Sequence, residues 1–132
     1  MTSYHFSVTV SGEFDDVVDR TKAALAAEGF GVLTEIDLAA TMKEKLGVDR
    51  APYRILGACN PPMAHQAIET DPAIGVLLPC NVVVRQNGEG RVLVDFMDPE
   101  AVLDLVGRPA IDKVAGEVRT RLEMARDTLA MS

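Results

Sequence analysis

The chain opens on an alternation of apolar and polar positions. Phe6, Val8 and Val10 are apolar while Ser7, Thr9 and Ser11 are polar, the two-residue period of a strand with one buried face. The period then lengthens. Phe14, Val18, Thr21 and Leu25 recur at helical spacing, with Ser11 or Gly12 as the expected cap and Gly29 as a left-handed residue past the helix end. "FGVLTEIDL" alternates again, setting Val32, Thr34 and Ile36 against Leu33, Glu35 and Asp37. Asp37 is expected to cap a short helix carrying Met42 and Leu46, which stops at Gly47.

"YRILGAC" predicts a third strand, and "NPPMAHQAIET" a short helix with Asn60 at the N-cap and Pro61 at the first helical position. "DPAIG" leads into a fourth strand through "PCNVVVR", "QNGEG" makes a hairpin turn, and "RVLVDF" is the fifth strand. Asp98 caps one more short helix. The last, long helix gathers Ile111, Val114, Val118, Leu122, Ala125 and Leu129 on one stripe and leaves Asp112, Lys113, Glu117, Arg119 and Arg121 to solvent. Strands in hairpin-like succession between two long amphipathic helices predict an α+β fold in a single domain over residues 1–132. Its expected form is a mostly antiparallel sheet of about five strands with both long helices on one face.

Such a layout leaves the other sheet face uncovered. The alternation assigns Leu33, Leu56, Ala58, Val83 and Leu93 to it, interleaved with Glu35, Arg54, Arg85, Arg91 and Asp95. One outcome is a solvated antiparallel face with scattered apolar residues. The other is a self-association or ligand surface, because four large aliphatics form a contiguous patch. The expectation adopted is a homodimer joined through Leu33, Leu56, Val83 and Leu93.

Composition narrows the function classes. With 132 residues, 48% of them hydrophobic and 25% charged, the chain has the balance of an ordinary globular protein able to bury a core. Its net charge of −7 opposes binding to nucleic-acid phosphates or to an anionic membrane surface. No apolar run approaches the roughly 18 residues of a membrane span, and "MTSYHFSVTV" lacks the basic and apolar regions of a secretory signal. Two cysteines are too few for a disulfide framework, so a cytoplasmic protein with reduced thiols is expected.

Those cysteines each precede an asparagine, in "GACNPP" and "LLPCNVV". Cys59 stands beside the N-terminus of the helix capped by Asn60, where a thiol pKa can fall. A phosphate cradle at the same place is disfavoured, since Pro61 and Pro62 remove donors it would need. Strand parity sets Cys59 with Ile55 and Cys80 with Val82 and Val84, so both thiols are expected on neighbouring strands, facing the helix-covered core. Packing alone is one reading of them. The other adds His65, at the edge of the short helix, to make a soft-metal or zinc half-site. No recognised zinc spacing supports it. Asn81 points away from Cys80 and has no assigned partner, and His5 carries no signal of its own.

At these residues a family resemblance emerges. "YRILGACNPPMAHQAIETDPAIGVLLPCNVVV" resembles the central signature of the domain of unknown function 302 family, "EGFGVLTEIDL" its upstream segment and "VDFMDPEAVL" its downstream one. The resemblance implies a TATA-binding-protein-like β-α-β(4)-α domain with minor helical insertions, usually dimeric, without implying DNA binding. It supplies no catalytic activity, and its signature falls here on Cys59, Asn60, Pro61, Pro79, Cys80 and Asn81. Three functions stand in order. The first is a homodimeric binding module for a small ligand or metal near the Cys-Asn segments, with Cys59, Asn60, His65, Cys80 and Asn81 as candidates. An interaction domain without a small-molecule site follows, and a thiol-dependent enzyme comes last.

Overall fold

The computed structural model describes residues 3–131. Five strands form one sheet: β1 (His5–Val10), β2 (Gly31–Asp37), β3 (Tyr53–Cys59), β4 (Cys80–Gln86) and β5 (Val92–Met97). Every neighbouring pair is antiparallel, and the spatial order is β1-β5-β4-β3-β2. The long helices are α1 (Phe14–Ala27) and α5 (Pro109–Ala130). Three shorter ones are inserted, α2 (Leu38–Leu46), α3 (Pro61–Thr70) and α4 (Pro99–Leu103), together with 3-10 turns at Pro72–Leu77 and Asp104–Val106. The order of major elements is the expected β-α-β(4)-α. Among the described residues, no helix is long and apolar enough to cross a membrane.

Local chemistry accounts for most of the boundaries. Asp37 Oδ1 accepts from Ala40 N at 2.9 Å, and Gly47 ends α2 at φ +68°. Asp98 Oδ1 caps α4 by accepting from Glu100 N at 2.9 Å. The cap of α1 differs from expectation: Glu13 occupies it without a side-chain bond, and neither Ser11 nor Gly12 does so. Gly29, at φ +86°, turns the chain out of α1 as its pattern predicted.

The main core lies between one sheet face and the two long helices. Val82, Val84, Val94 and Phe96 meet Val17, Val18 and Leu25 of α1 and Leu122, Ala125 and Leu129 of α5. A second, smaller core lies beyond the sheet end, where Ala67 of α3, Ile74, Leu103 of α4 and Ile111 and Ala115 of α5 pack together. All six residues of the expected α5 stripe are buried. On its outer side, Arg119 is drawn inward rather than solvated, pairing with Asp98 and lying over the Phe6 ring at 5.0 Å.

The face assigned to β3 is reversed. Leu56 and Ala58 pair with Val82 and Cys80, and all four lie under the helices, with Leu56 0% exposed. Leu56 is therefore no part of the uncovered face, and neither is Ala58. Arg54 shares their side, reaching Glu35 at 3.0 Å and lying over Phe14 at 5.6 Å. Residues 53, 55 and 57 take the uncovered face instead. In β2 a register shift between Val32 and Thr34 breaks the simple alternation: Val32 pairs with Ala58 on the core side and Thr34 with Gly57 on the other. Leu33 stands in that bulge, 65% exposed.

Gly57 is required by close packing. A Cβ there would meet Thr34 Oγ1 and stand 2.9 Å from Pro79 Cγ, and the proline ring cannot move as a flexible chain end would. Gly57→Ala should lower stability by about 1–3 kcal/mol through overpacking. Urea denaturation checks this; an unchanged midpoint would show that the Gly57–Pro79 contact is loose.

Candidate functional site: an apolar cavity between two cores

β3 ends at Cys59 and β4 begins at Cys80, so the chain leaves and re-enters the sheet at the same level. Between them α3 and the following 3-10 turn swing out against α5 and α4. The seam between the two cores is incompletely filled and leaves a cavity of about 270 Å³. Ala58, Met63, Cys80, Val114 and Val118 line it from the main core, and Ala67 and Leu103 from the smaller one. Phe30 and Leu33 complete the β2 side, and Ala64, Ile68 and Leu78 the α3 side.

Cys59, Asn60, Pro79 and Cys80 all border this cavity. Asn60 is 9% exposed and caps α3 as expected, its Oδ1 accepting from Met63 N at 3.4 Å. The Leu78–Pro79 peptide is cis. Both cysteines are free, Cys80 buried and Cys59 half-buried. They are on neighbouring strands, as expected, but not on the same side. Cys80 pairs with Ala58, so Cys59, one residue farther on, alternates to the opposite side.

Burial acts against ionisation of both thiols. Burial pushes Cys80 up to about 12, with the neighbouring Cys59 adding to the rise. Burial also raises Cys59, so desolvation outweighs any help from the α3 N-terminus. His65 does not join them: it is exposed on α3 and does not line the cavity. Among the described residues, no group of three or more His, Cys, Asp or Glu side chains could hold a metal ion.

Asn81 lies on the other face, exposed, in a groove with His5, Tyr53, Arg85 and Asp95. There Asp95 accepts from Ser7 Oγ and from Arg85 Nε, both at 2.6 Å. The two Cys-Asn steps are thus not equivalent: one asparagine caps a helix at the cavity, and the other faces outward.

The sequence model of a domain of unknown function, DUF302, matches residues 6–129. The chain belongs to the DUF302 family. A crystal structure of an uncharacterized conserved DUF302 protein from Bacillus stearothermophilus has the same fold, with a TM-score of 0.90 at 29% identity over 97% of this chain and 99% of that one. No curated protein matches the chain. Of the six DUF302 signature positions identified in the sequence, four meet at the cavity. For the rest of the lining the sequence marks Val114 and Val118 only as core stripe and sets Leu33 and Ala58 on the uncovered face, and no local signal distinguishes a core residue from one beside a void.

The raised thiols set a pH dependence. An unfolded thiol ionises near pH 8.5, whereas folded Cys80 keeps its proton to about pH 12. The unfolded chain then holds fewer protons, so stability present below pH 8.5 is lost as pH rises toward 12. Cys80→Ala should show a shallower alkaline decline in denaturation midpoint, and native Cys80 should resist iodoacetamide at pH 7. Rapid alkylation of Cys80 in the folded protein would contradict this environment.

Proposed function

We propose that this DUF302 domain is a binding module for a small, mostly apolar molecule held in the cavity at the Cys-Asn segments. One observation carries the reading: four signature residues converge on a cavity whose lining is otherwise almost wholly aliphatic and aromatic. Its size is close to the lower end of small-molecule pockets, which begin at about 300 Å³. A metal is a poorer occupant, because among the described residues no group of three or more His, Cys, Asp or Glu side chains could hold one. The raised thiols disfavour a thiol-dependent enzyme. Free thiols also fit a reducing cytoplasmic setting.

Indane, a compact hydrocarbon of suitable size, is a direct probe. It should bind saturably with a dissociation constant below about 1 mM, or roughly 4 kcal/mol. Ala64→Phe, which places a ring in the cavity from α3, should weaken it at least about tenfold, by the burial a ring of that size displaces. Calorimetry or ligand-detected NMR reads both. Absence of saturable binding would favour the interaction-domain alternative, with the cavity a packing void.

Self-association is the second part of the proposal, with its surface redrawn. Ile36, Ile55 and Val83 are paired directly across β2, β3 and β4 on the face away from the helices, and Leu93 lies nearby on β5. Ile36 is 46% exposed and the others are partly exposed. This three-strand aliphatic row is the feature a second copy would cover. Sedimentation should give a dimer at micromolar concentration. Ile55→Asp should shift it to monomer by placing a charge against that row. A monomeric wild type would end the dimer proposal.

A further inference from the structure

We infer that the cavity ligand is a single-chain amphiphile, held with its alkyl tail in the cavity and its one polar end in water beside Leu33 and Ile68. The inference rests on the binding reading above and names the ligand's class and orientation. It begins with how exposure is distributed around the lining. Ala58, Ala67, Cys80 and Leu103 are buried and close the end where the two cores meet. Leu33 on β2 is 65% exposed and Ile68 on α3 is 41% exposed, although both line the same cavity. Gly75, in the 3-10 turn after α3, is a third exposed lining residue. A Cβ there would meet nothing within 4 Å, so the space beside it is open. The cavity is thus closed toward the cores and open toward these three residues.

The chemistry of the two ends decides the orientation. None of the lining residues carries a charge, and Asn60, engaged as the α3 cap, supplies the one side-chain amide. A hydroxyl or ionic group carried to the closed end would lose its hydration against Ala67, Leu103 and Val114 with nothing to replace it. The same group left at the open end keeps its water. An alkyl tail entering first meets no such cost and gains from every methylene buried. Leu33 and Ile68 extend that gain, because a chain passing between them covers apolar surface that water now touches. Size sets the length of the tail. An engineered cavity of about 150 Å³ takes the six carbons of benzene, so 270 Å³ takes about ten by the same proportion. A tail of about eight carbons therefore fills the space and brings its head to the opening.

Two comparisons test this, with indane as the control for the cavity itself. The wild type should bind 1-octanol about tenfold more tightly than 1,8-octanediol, whose second hydroxyl must enter the apolar end. The second comparison places the head, using octyl sulfate and octyltrimethylammonium below the concentrations at which they form micelles. Ile68→Lys should favour the sulfate and Ile68→Asp the ammonium. The ratio of the two affinities should differ at least about tenfold between the variants, as close charges at a protein surface require. Each ratio compares two ligands on one protein, so a change in the variant's stability does not imitate it. Calorimetry or ligand-detected NMR reads all of these. Saturable indane binding together with equal affinities for octanol and octanediol, or with the same sulfate-to-ammonium ratio in both variants, would overturn the amphiphile inference and leave the cavity reading standing. Failure of indane and of 1-octanol to bind would remove both.

Discussion

The pairing of Ala58 with Cys80 across β3 and β4 is the constraint on which the rest of the structure depends. Side chains alternate along a strand, so one pairing fixes the side taken by every residue of both. It commits Leu56, Ala58, Cys80, Val82 and Val84 to the helix-covered core. By the same step it commits Ile55 and Val83 to the uncovered face. It also brings the end of β3 level with the start of β4, so the connecting α3 lies outside the sheet end and must find its own packing against α4 and α5. Two cores result, and the cavity is the seam between them.

Much of this was legible along the chain. The α5 stripe from Ile111 to Leu129 is legible because its large aliphatics recur at helical spacing and most charged residues fall between them. The caps at Asp37, Asn60 and Asp98 were legible because each pairs a short acceptor side chain with a following helix. β3 was misassigned for an equally physical reason. "YRILGAC" is apolar at both parities, and the charge of Arg54 suggested that its side was solvated. In the folded chain Arg54 lies at the far end of the strand, where Glu35, Asp37 and Asp15 neutralise it and Phe14 covers it. The bulge at Leu33 was equally invisible, because a one-residue register shift leaves no mark in composition.

The site was half legible. The Cys-Asn segments stood out as a repeated step, and the structure brings Cys59, Asn60 and Cys80 to one cavity while sending Asn81 and His65 elsewhere. What the repetition concealed is a difference in role. Asn60 ends a strand and begins a helix, so its amide is held at the cavity edge. Asn81 lies one residue inside a strand and takes the outward side that parity dictates. Burial opposes ionisation of both thiols.

The central claim is that an apolar cavity persists between the sheet end and α3 and admits a small molecule. Diffraction from a crystal held under xenon pressure tests it most directly, because xenon enters apolar cavities with no chemistry of its own. The account predicts xenon density bordered by Met63, Cys80 and Val118, with those side chains essentially unmoved. A seam closed by Met63 or Leu78, with no xenon between α3 and the strand ends, would contradict it.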